Sequence, residues 1–494
     1  MNAKTASIAL EHVDSFFIGG DWARPSTGAR IDVITPSTED LLVRVAEAQS
    51  PDVDRAVAAA RQAFDRGPWP RMSHAQRAGY LREIGRRLTA RADELADLWT
   101  AEMGILRTAA GAMTGAVGWV YDYYASLAAT FPFEEPRTPG MGGKFGLLVR
   151  EPVGVAAAII PWNVPALLAA WKVAPALLAG CAVILKLSPE APTSGYVLAE
   201  VAREVGLPSG VLNVLTADRQ VSEMLVRHPG VDKVSFTGSS AAGKKIGAIC
   251  GGRIARCTLE LGGKSAAVVL DDYDLEAVAQ TMAAATPSIT GQVCAALTRV
   301  IVSRHRHDRL VDALAGRFAA IRVGDPFDAA TEMGPLAMAR QRDRVEGYVV
   351  KGLNEGARLV TGGHRPAHLH RGYYIEPTVF ANVRNDMTIA REEIFGPVIS
   401  VIPAEDEAEA VTLANDSDFG LNASIFTNDA DRAYEVARRL RSGTIGHNHV
   451  RSDFTIAFGG FKQSGIGREG GAEGLLPYLE AKTVILEAEP SRRR

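Results

Sequence analysis

Hydrophobic and polar positions change period along this chain. Over residues 52–62 and 75–100, Ala, Leu and Ile recur at helical spacing with Arg and Glu between them, which predicts amphipathic helices. From residue 153, short apolar runs alternate with helical stretches. Residues 153–160, 182–186, 211–215, 233–237 and 257–260 read as buried strands, and residues 166–178, 194–205, 221–228 and 241–250 as the helices between them. Such alternation predicts a mostly parallel, doubly wound sheet. A second set follows, with strands at 265–270, 299–302 and 397–402 and helices at 275–285 and 307–321. The expected fold class is α/β: two doubly wound open-sheet domains meeting near Gly262-Gly263, plus a small β extension. Residues 144–150 and 482–486 have strand character outside both sets. The pattern leaves open whether they pair across subunits or within the chain.

Composition narrows the function classes. At 494 residues the chain exceeds one simple core. Its 47% hydrophobic and 22% charged residues are those of an ordinary globular protein. A net charge of −3, with no run of one sign except Arg492-Arg493-Arg494, gives no support for nucleic-acid binding. Four cysteines (Cys181, Cys250, Cys257, Cys294) without C-x-x-C spacing fit a reduced, cytoplasmic setting. Met1 to Thr5 lead into Glu11, His12 and Asp14 without the apolar stretch of a signal peptide. Residues 153–187 are nearly free of charge, yet Pro161, Asn163, Pro165 and Pro175 interrupt them. A buried strand–turn–helix–strand unit is expected there, not a membrane span. The pairs His305/His307, His368/His370 and His447/His449 come with no Cys or carboxylate cluster, so no metal site is expected.

Two segments carry the sharpest chemistry. Glu260 ends an apolar strand beside Gly262-Gly263-Lys264, and Cys294 follows Gly291-Gln292-Val293 among small uncharged residues. A thiol attacks as its thiolate, and a carboxylate shielded from water can act as a general base. Together they suggest covalent catalysis through a thioester. A sheet of this size also suggests a nucleotide, and two strings imitate nucleotide motifs. Gly465-Ile466-Gly467-Arg468-Glu469-Gly470 spells G-x-G-x-x-G, but it lies outside a β-α-β unit and Glu469 would oppose a pyrophosphate. Gly238 to Lys245 nearly spells a Walker A loop, but Lys245 stands where magnesium needs a hydroxyl. That string nonetheless joins a strand to a helix N-terminus, where free N–H groups and the helix dipole favour an anion. An ordinary strand-to-helix turn is the competing account.

Six landmarks in order make the chain resemble the aldehyde dehydrogenase superfamily over nearly its whole length. They are Ile160-Pro161-Trp162-Asn163, Phe236-Thr237-Gly238-Ser239, Glu260-Leu261-Gly262-Gly263-Lys264, Gly291-Gln292-Val293-Cys294, Glu392-Glu393-Ile394-Phe395-Gly396-Pro397 and Phe458-Gly459-Gly460-Phe461-Lys462-Gln463-Ser464-Gly465. The resemblance implies oxidation of an aldehyde to a carboxylic acid with NAD, NADP being the other candidate. By the same resemblance Cys294 is the nucleophile, Glu260 activates the hydrolytic water, and the Asn163 amide with the Cys294 backbone N–H holds the oxyanion. Lys186 then reaches the adenosine ribose, Gly238 and Ser239 face the pyrophosphate, and Glu393 binds the nicotinamide ribose with Phe395 near that ring. Ile159, Ile160, Pro161 and Trp162 line the cofactor cleft. Val164, Leu167, Leu168, Trp171, Val293, Ala295 and Phe458 wall the substrate entrance. The implied domains are residues 1–130 with 153–262 (a Rossmann-like cofactor domain), 263–465 (catalytic), and 131–152 with 466–494 (oligomerisation strands and tail). A homodimer or homotetramer is expected.

The match departs from the family pattern in places. Leu187-Ser188-Pro189 follows Lys186 where the family commonly has Pro-Ser-Glu, so the carboxylate that meets the adenosine 2′-hydroxyl is displaced to Glu190. No Arg or second Lys adjoins it in sequence, which favours NAD over NADP. Ile289 and Thr290 stand where an Asn often precedes Gly-Gln-x-Cys, and Ala457 replaces a Pro. The apolar wall suits a medium-sized or bulky hydrophobic aldehyde, aliphatic, terpenoid or aromatic. Arg451 and Asp453 near the expected mouth read as a solvated ion pair. Two rival functions use the same scaffold. A CoA-acylating semialdehyde dehydrogenase needs no hydrolytic base, and Glu260 argues against it. A non-catalytic binding or structural protein has no use for Cys294, Glu260 and Asn163 together.

Overall fold

The computed structural model describes residues 10–491. Met1 to Thr5 and Arg492-Arg493-Arg494 lie outside the described residues. The first sheet is built on Val155–Ile159, buried along its whole length. Its parallel neighbours are Ala182–Leu187 on one side and Lys233–Thr237 on the other. Leu212–Thr216 extends the first side and Arg256–Glu260 the second, again in parallel. Strand order therefore reverses between Val155–Ile159 and Lys233–Thr237. In an open α/β sheet, a crevice forms at the carboxyl ends of strands at such a switch point. The turns leaving those two strands carry Ile160 to Asn163 and Gly238-Ser239. Antiparallel strands complete the sheet to eight: Phe16–Ile18 and Asp21–Ala23 at one edge, Gly465–Ile466 at the other.

The second sheet has seven strands, in spatial order Arg358–Thr361, Thr378–Ala381, Val398–Ala404, Leu297–Ser303, Ser265–Val269, Asn422–Phe426 and Thr444–His447. All neighbours are parallel except the first pair. Alternate residues feed two separate cores. Ala266, Val268 and Ile301 pack on one face, and Ala267, Val269, Val300 and Val302 on the other. This is why these strands read as unbroken apolar runs rather than alternating ones.

The leftover strands pair with each other inside the chain. Phe145–Pro152 and Leu479–Leu486 run antiparallel in unbroken register from Pro152↔Leu479 to Phe145↔Leu486, with Glu134–Arg137 on the other side of Phe145–Pro152. One helical expectation needs correction. Residues 75–100 form two helices, His74–Ala90 and Ala92–Met103, because Arg91 leaves helical geometry (φ −105°, ψ 18°). The amphipathic spacing continues across that break, so periodicity alone conceals it. The 24-residue helix Arg107–Thr130 was not anticipated. Its glycines lower helix propensity, yet Gly118 is there for packing: a Cβ at that position would sit 2.4 Å from the Gly85 carbonyl of His74–Ala90. No helix among the described residues is long and apolar enough to cross a membrane.

Candidate active site

Glu260 is the last residue of Arg256–Glu260, at the point where the chain leaves the first sheet for the second. It is 2% exposed, and neither carboxylate oxygen has a hydrogen-bond partner. Burial raises its pKa well above the ordinary value, and the nearby Glu469 carboxylate raises it further. Gly459 makes room for it, since a Cβ there would come within 2.8 Å of Glu260 Oε1. Behind Glu260 lies a buried ion pair: Lys172 donates to Glu469 and, at 2.7 Å, to Thr237 Oγ1, while Ser235 Oγ donates to Glu469 at 3.2 Å. The G-x-G-x-x-G imitation is thus the segment that delivers Glu469. Its first two residues form a strand against Leu259 and Glu260.

Cys294 sits at the end of a strained loop. Ile289, Thr290 and Gly291 all take left-handed φ values of 52°, 53° and 69°. That conformation disfavours β-branched residues and suits the Asn often found here in the family. Gly291 must be glycine, because a Cβ would meet the Gly396 backbone at 2.3 Å. Gln292 clamps the loop, donating to Ile289 O at 3.0 Å and accepting from Ala337 N at 3.0 Å. Asn163 Nδ2 donates one N–H to Gln292 O at 2.9 Å, leaving its second N–H for an acceptor in the cleft. The Trp99 indole donates to Asn163 O at 3.0 Å and fixes the turn. Cys294 is half-buried as a residue, and desolvation, then the Glu393 and Glu260 carboxylates, push its thiol pKa up to about 12.

The cofactor positions fall around the switch-point crevice. Ile159 and Ile160 are buried at its floor, and the Trp162 and Phe395 rings meet edge to face at 5.5 Å. Glu393 Oε1 accepts the Gly263 N–H at 3.1 Å, and burial lifts its pKa to about 7. Ser239 Oγ caps the helix Ser240–Gly252 by accepting from Ala242 N at 3.3 Å. The first-turn N–H groups beyond it have no intrahelical acceptor, an arrangement that suits an anion. Gly238 is not a donor there, because its N–H is spent on Glu260 O at 3.0 Å. Lys186 ends its strand 8% exposed, with burial lowering its pKa to about 8. A helix end with free N–H groups, a buried cation and a sheltered carboxylate fit the phosphates and riboses of a dinucleotide.

Several contributors were not foreseen. Gln341 Nε2 donates to Phe395 O at 2.7 Å, and Arg344 donates to Ile394 O at 3.2 Å, so the helix Ala339–Asn354 braces the Glu393–Phe395 loop. The same helix sends Arg340 to pair with Glu190, whose other oxygen accepts from Ser188 Oγ. The sequence neighbourhood of Lys186 lacks an Arg, but the fold supplies one. The displaced Glu190 is therefore tied to protein groups. On the substrate side, Trp171 stacks on Phe454 at 4.6 Å and Phe454 on Phe458 at 4.4 Å. Trp119 and Tyr124 of the unanticipated helix reach Trp171 edge-on at 6.3 and 5.9 Å. Ala295 clusters with Phe458, Val293 and Phe454, and Val164 with Trp162 and Val293, while Leu167 and Leu168 pack at the Trp171 side. Arg451 and Asp453 do not pair; Asp453 instead accepts from the backbone and hydroxyl of Thr455. His368 meets Val323 O and His447 meets Thr427 O, while His307 is held by Asp308 and Asn382. Among the described residues no three potential metal ligands converge.

The class defined by this arrangement is an α/β oxidoreductase with a crevice at the switch point of its first sheet and a thiol packed beside Ala295, Leu421 and Phe458. More particularly, the chain belongs to the aldehyde dehydrogenase family, whose model it matches over residues 22–484. It is 45% identical to the geranial dehydrogenase of Castellaniella defragrans over 97% of this chain and 100% of that protein. It is 41% identical to betaine aldehyde dehydrogenase 1 of Rhizobium meliloti over 96% and 98%. Among solved structures, an NAD+ complex of a Mycobacterium tuberculosis aldehyde dehydrogenase superposes with a TM-score of 0.93 at 44% identity, covering 96% and 98% of the two chains. A mutant of aldehyde dehydrogenase C from Pseudomonas syringae, complexed with NAD+ and octanal, gives 0.93 at 38% identity over 97% and 98%. The chain is accordingly an enzyme of aldehyde oxidation.

Proposed function

We propose that the chain oxidises a medium-sized or bulky hydrophobic aldehyde to its carboxylic acid through a covalent adduct on Cys294, with NAD+ as oxidant. The observation carrying this reading is Glu260: a buried carboxylate, free of partners and within electrostatic reach of the Cys294 thiol. Cys294 attacks the aldehyde carbon, giving a tetrahedral alkoxide. The free N–H of Asn163 and the Cys294 backbone N–H stabilise that charge as it develops. The residues around the crevice would hold NAD+, which would serve as hydride acceptor; loss of the former aldehyde C–H as hydride turns the Cys294-bound alkoxide into a thioester. Glu260 then takes a proton from the water that hydrolyses it, and the Lys172–Glu469 pair behind it sets the local charge. Gly263 and Gln341 hold the Glu393–Phe395 loop at the nicotinamide end. The stack of Trp171, Phe454 and Phe458, extended by Trp119, offers apolar area to a long or branched tail. The geranial and octanal named for the two relatives are aldehydes of that character. The free outer edges of the three-stranded ribbon fit a homodimer or homotetramer, and the low cysteine content a cytoplasmic enzyme.

The test is absorbance of reduced cofactor with a panel of aldehydes and either NAD+ or NADP+. Octanal, citral and benzaldehyde are expected to outperform acetaldehyde in kcat/KM; the reverse order rejects the hydrophobic substrate. Cys294→Ala is expected to have no turnover. Glu260→Gln is expected to stall with an acyl mass on Cys294, and full turnover by it removes Glu260 from the role.

A further inference from the structure

At the end of the crevice where Lys186 stands, a carboxylate of the first sheet meets a guanidinium of the second α/β set. Lys186 lies at the carboxyl end of Ala182–Leu187, opposite Ile159 of the switch-point strand. The chain then turns through Ser188-Pro189-Glu190, with Ala191 N donating to Ser188 O at 3.3 Å. Pro189 has no polar side chain to offer. Both oxygens of Glu190 are engaged: Oε1 accepts from Arg340 Nη2 and Oε2 from Ser188 Oγ. Burial alone would raise the Glu190 pKa, but the bonds from Ser188 and Arg340 bring it below the ordinary value, so the contact is an ion pair.

Arg340 sits in the first turn of Ala339–Asn354, whose N-terminus has no side-chain cap. Its neighbour Gln341 holds Phe395 O, and Arg344, a turn further on, holds Ile394 O. A single helix therefore touches both the loop proposed for the nicotinamide end and the turn beyond Lys186. The Arg340 side chain is 57% exposed and that of Glu190 20%. A guanidinium has more N–H donors than one carboxylate oxygen uses, so Arg340 keeps donors that a ligand can reach. Two cations, Lys186 and Arg340, stand here against one carboxylate. The two forms of a nicotinamide dinucleotide ask different things of such a place. A ribose 2′-hydroxyl needs only an acceptor, which the remaining lone pairs of Glu190 supply. A 2′-phosphate carries about −1.5 to −2 charge at neutral pH and needs cations.

We propose that Arg340 is a specificity-determining residue for the cofactor: it can exchange Glu190 for a ribose 2′-phosphate, so that the chain binds NADP+ as well as NAD+. This rests on the placement of Lys186 beside the adenosine ribose. With NAD+, Arg340 stays on Glu190 and neutralises it. With NADP+, the fork of the guanidinium suits two phosphate oxygens, and Glu190 remains held by Ser188. The residue that decides the matter is 150 positions away from its partner, on a helix outside the first sheet.

The test is isothermal titration calorimetry of the full chain with NAD+ and with NADP+, in the absence of aldehyde. The wild type is expected to bind the two within about tenfold of each other. Arg340→Gln should raise the ratio of Kd for NADP+ to Kd for NAD+ about tenfold, through loss of a charged donor to the phosphate. Glu190→Gln should lower the same ratio, because it frees Arg340 and removes the repelling charge. A clamp that merely held the two parts of the chain together would loosen in both variants and shift both dinucleotides alike. A ratio that neither variant moves, or that both move in one direction, therefore overturns the proposal. So does a wild type that binds NADP+ about a hundredfold or more weakly than NAD+. If the wild type binds neither dinucleotide, the cofactor reading of the crevice fails and this proposal with it; NAD+ binding with an insensitive ratio rejects the role of Arg340 alone.

Discussion

Gly263 donates its backbone N–H to Glu393 Oε1 across 3.1 Å, and the space above its Cα is filled by the carbonyl of Cys294. One glycine thus joins the loop proposed for the cofactor to the loop proposed for the nucleophile. A Cβ there would sit 2.4 Å from Cys294 O, and backbone cannot swing aside as a side-chain tip can. Gly263→Ala is expected to displace Cys294 and cost about a hundredfold in kcat, the scale of a 1 Å misplacement of a reacting group. Steady-state kinetics checks this; a variant within a few-fold of wild type contradicts the geometry.

Reactivity should climb with pH. Burial and two carboxylates push the Cys294 pKa up to about 12, and Glu260 is shifted upward as well. In the proposed mechanism both groups work deprotonated, so both shifts are expected to suppress activity at low pH in the same direction. Peptide-resolved iodoacetamide labelling of Cys294 in the free enzyme is expected to accelerate about tenfold per pH unit across neutrality. A plateau near neutral pH would show a stabilised thiolate instead.

Glu102 supplies a pH-dependent stability term far from the chemistry. Its Oε2 accepts the Thr193 N–H at 3.0 Å at the start of Thr193–Glu204, its Oε1 is buried without a partner, and desolvation lifts its pKa to about 8. The folded value exceeds the unfolded one, so the native state binds the proton more tightly. The contribution is full below the unfolded value of about 4.3 and is lost as pH rises through about 8. Glu102→Gln keeps an acceptor for Thr193 and cannot ionise. Its melting temperature is expected to gain on wild type between about pH 6 and about pH 9; a difference constant with pH removes Glu102 as the source.

The Lys172–Glu469 pair is buried at 0% and 3% exposure. Removing one partner strands the other charge, at about 3–5 kcal/mol. Glu469→Gln is expected to lower the unfolding free energy from chemical denaturation by that amount, and Lys172→Met combined with Glu469→Gln to recover much of it. A double variant as unstable as the sum of the singles shows that the pair is not a coupled unit.

Phe454 is the middle of the stack between Trp171 and Phe458. Phe454→Ala should reduce kcat/KM for octanal or citral about tenfold or more, while acetaldehyde changes little. Equal losses for short and long aldehydes point to a displaced Cys294 loop rather than lost tail contacts.

Much of the fold is legible in the chain because its signals are local. The strands of both sheets are continuous apolar runs, and Glu260, Cys294 and Asn163 stand in short contiguous motifs. What sequence could not reveal depends on remote pairing. Arg340 reaches Glu190 from 150 residues away, and Lys172 meets Glu469 across 297. Trp119 comes from a helix whose glycines suit close packing against Gly85 and obscure its helical character. Strand character at residues 144–150 and 482–486 cannot say whether they pair across subunits or within the chain; the intrachain register joins Phe145–Pro152 to Leu479–Leu486, remote in sequence.

The segment from Phe458 to Glu469 closes the site from the far end of the chain. Ser464 is bonded to Gly262, 202 residues earlier, Gly465–Ile466 lines the edge of the Glu260 strand, and Glu469 neutralises Lys172. Contacts of such separation form late, after the entropy of closing a long loop has been met. During synthesis, Cys294 therefore leaves the ribosome long before the residues that surround Glu260. In a nascent chain, the proposed nucleophile is present before Gly459 and Glu469 surround the Glu260 carboxylate. On the proposed mechanism, hydrolysis of the thioester is acquired only when the segment from Phe458 to Glu469 docks.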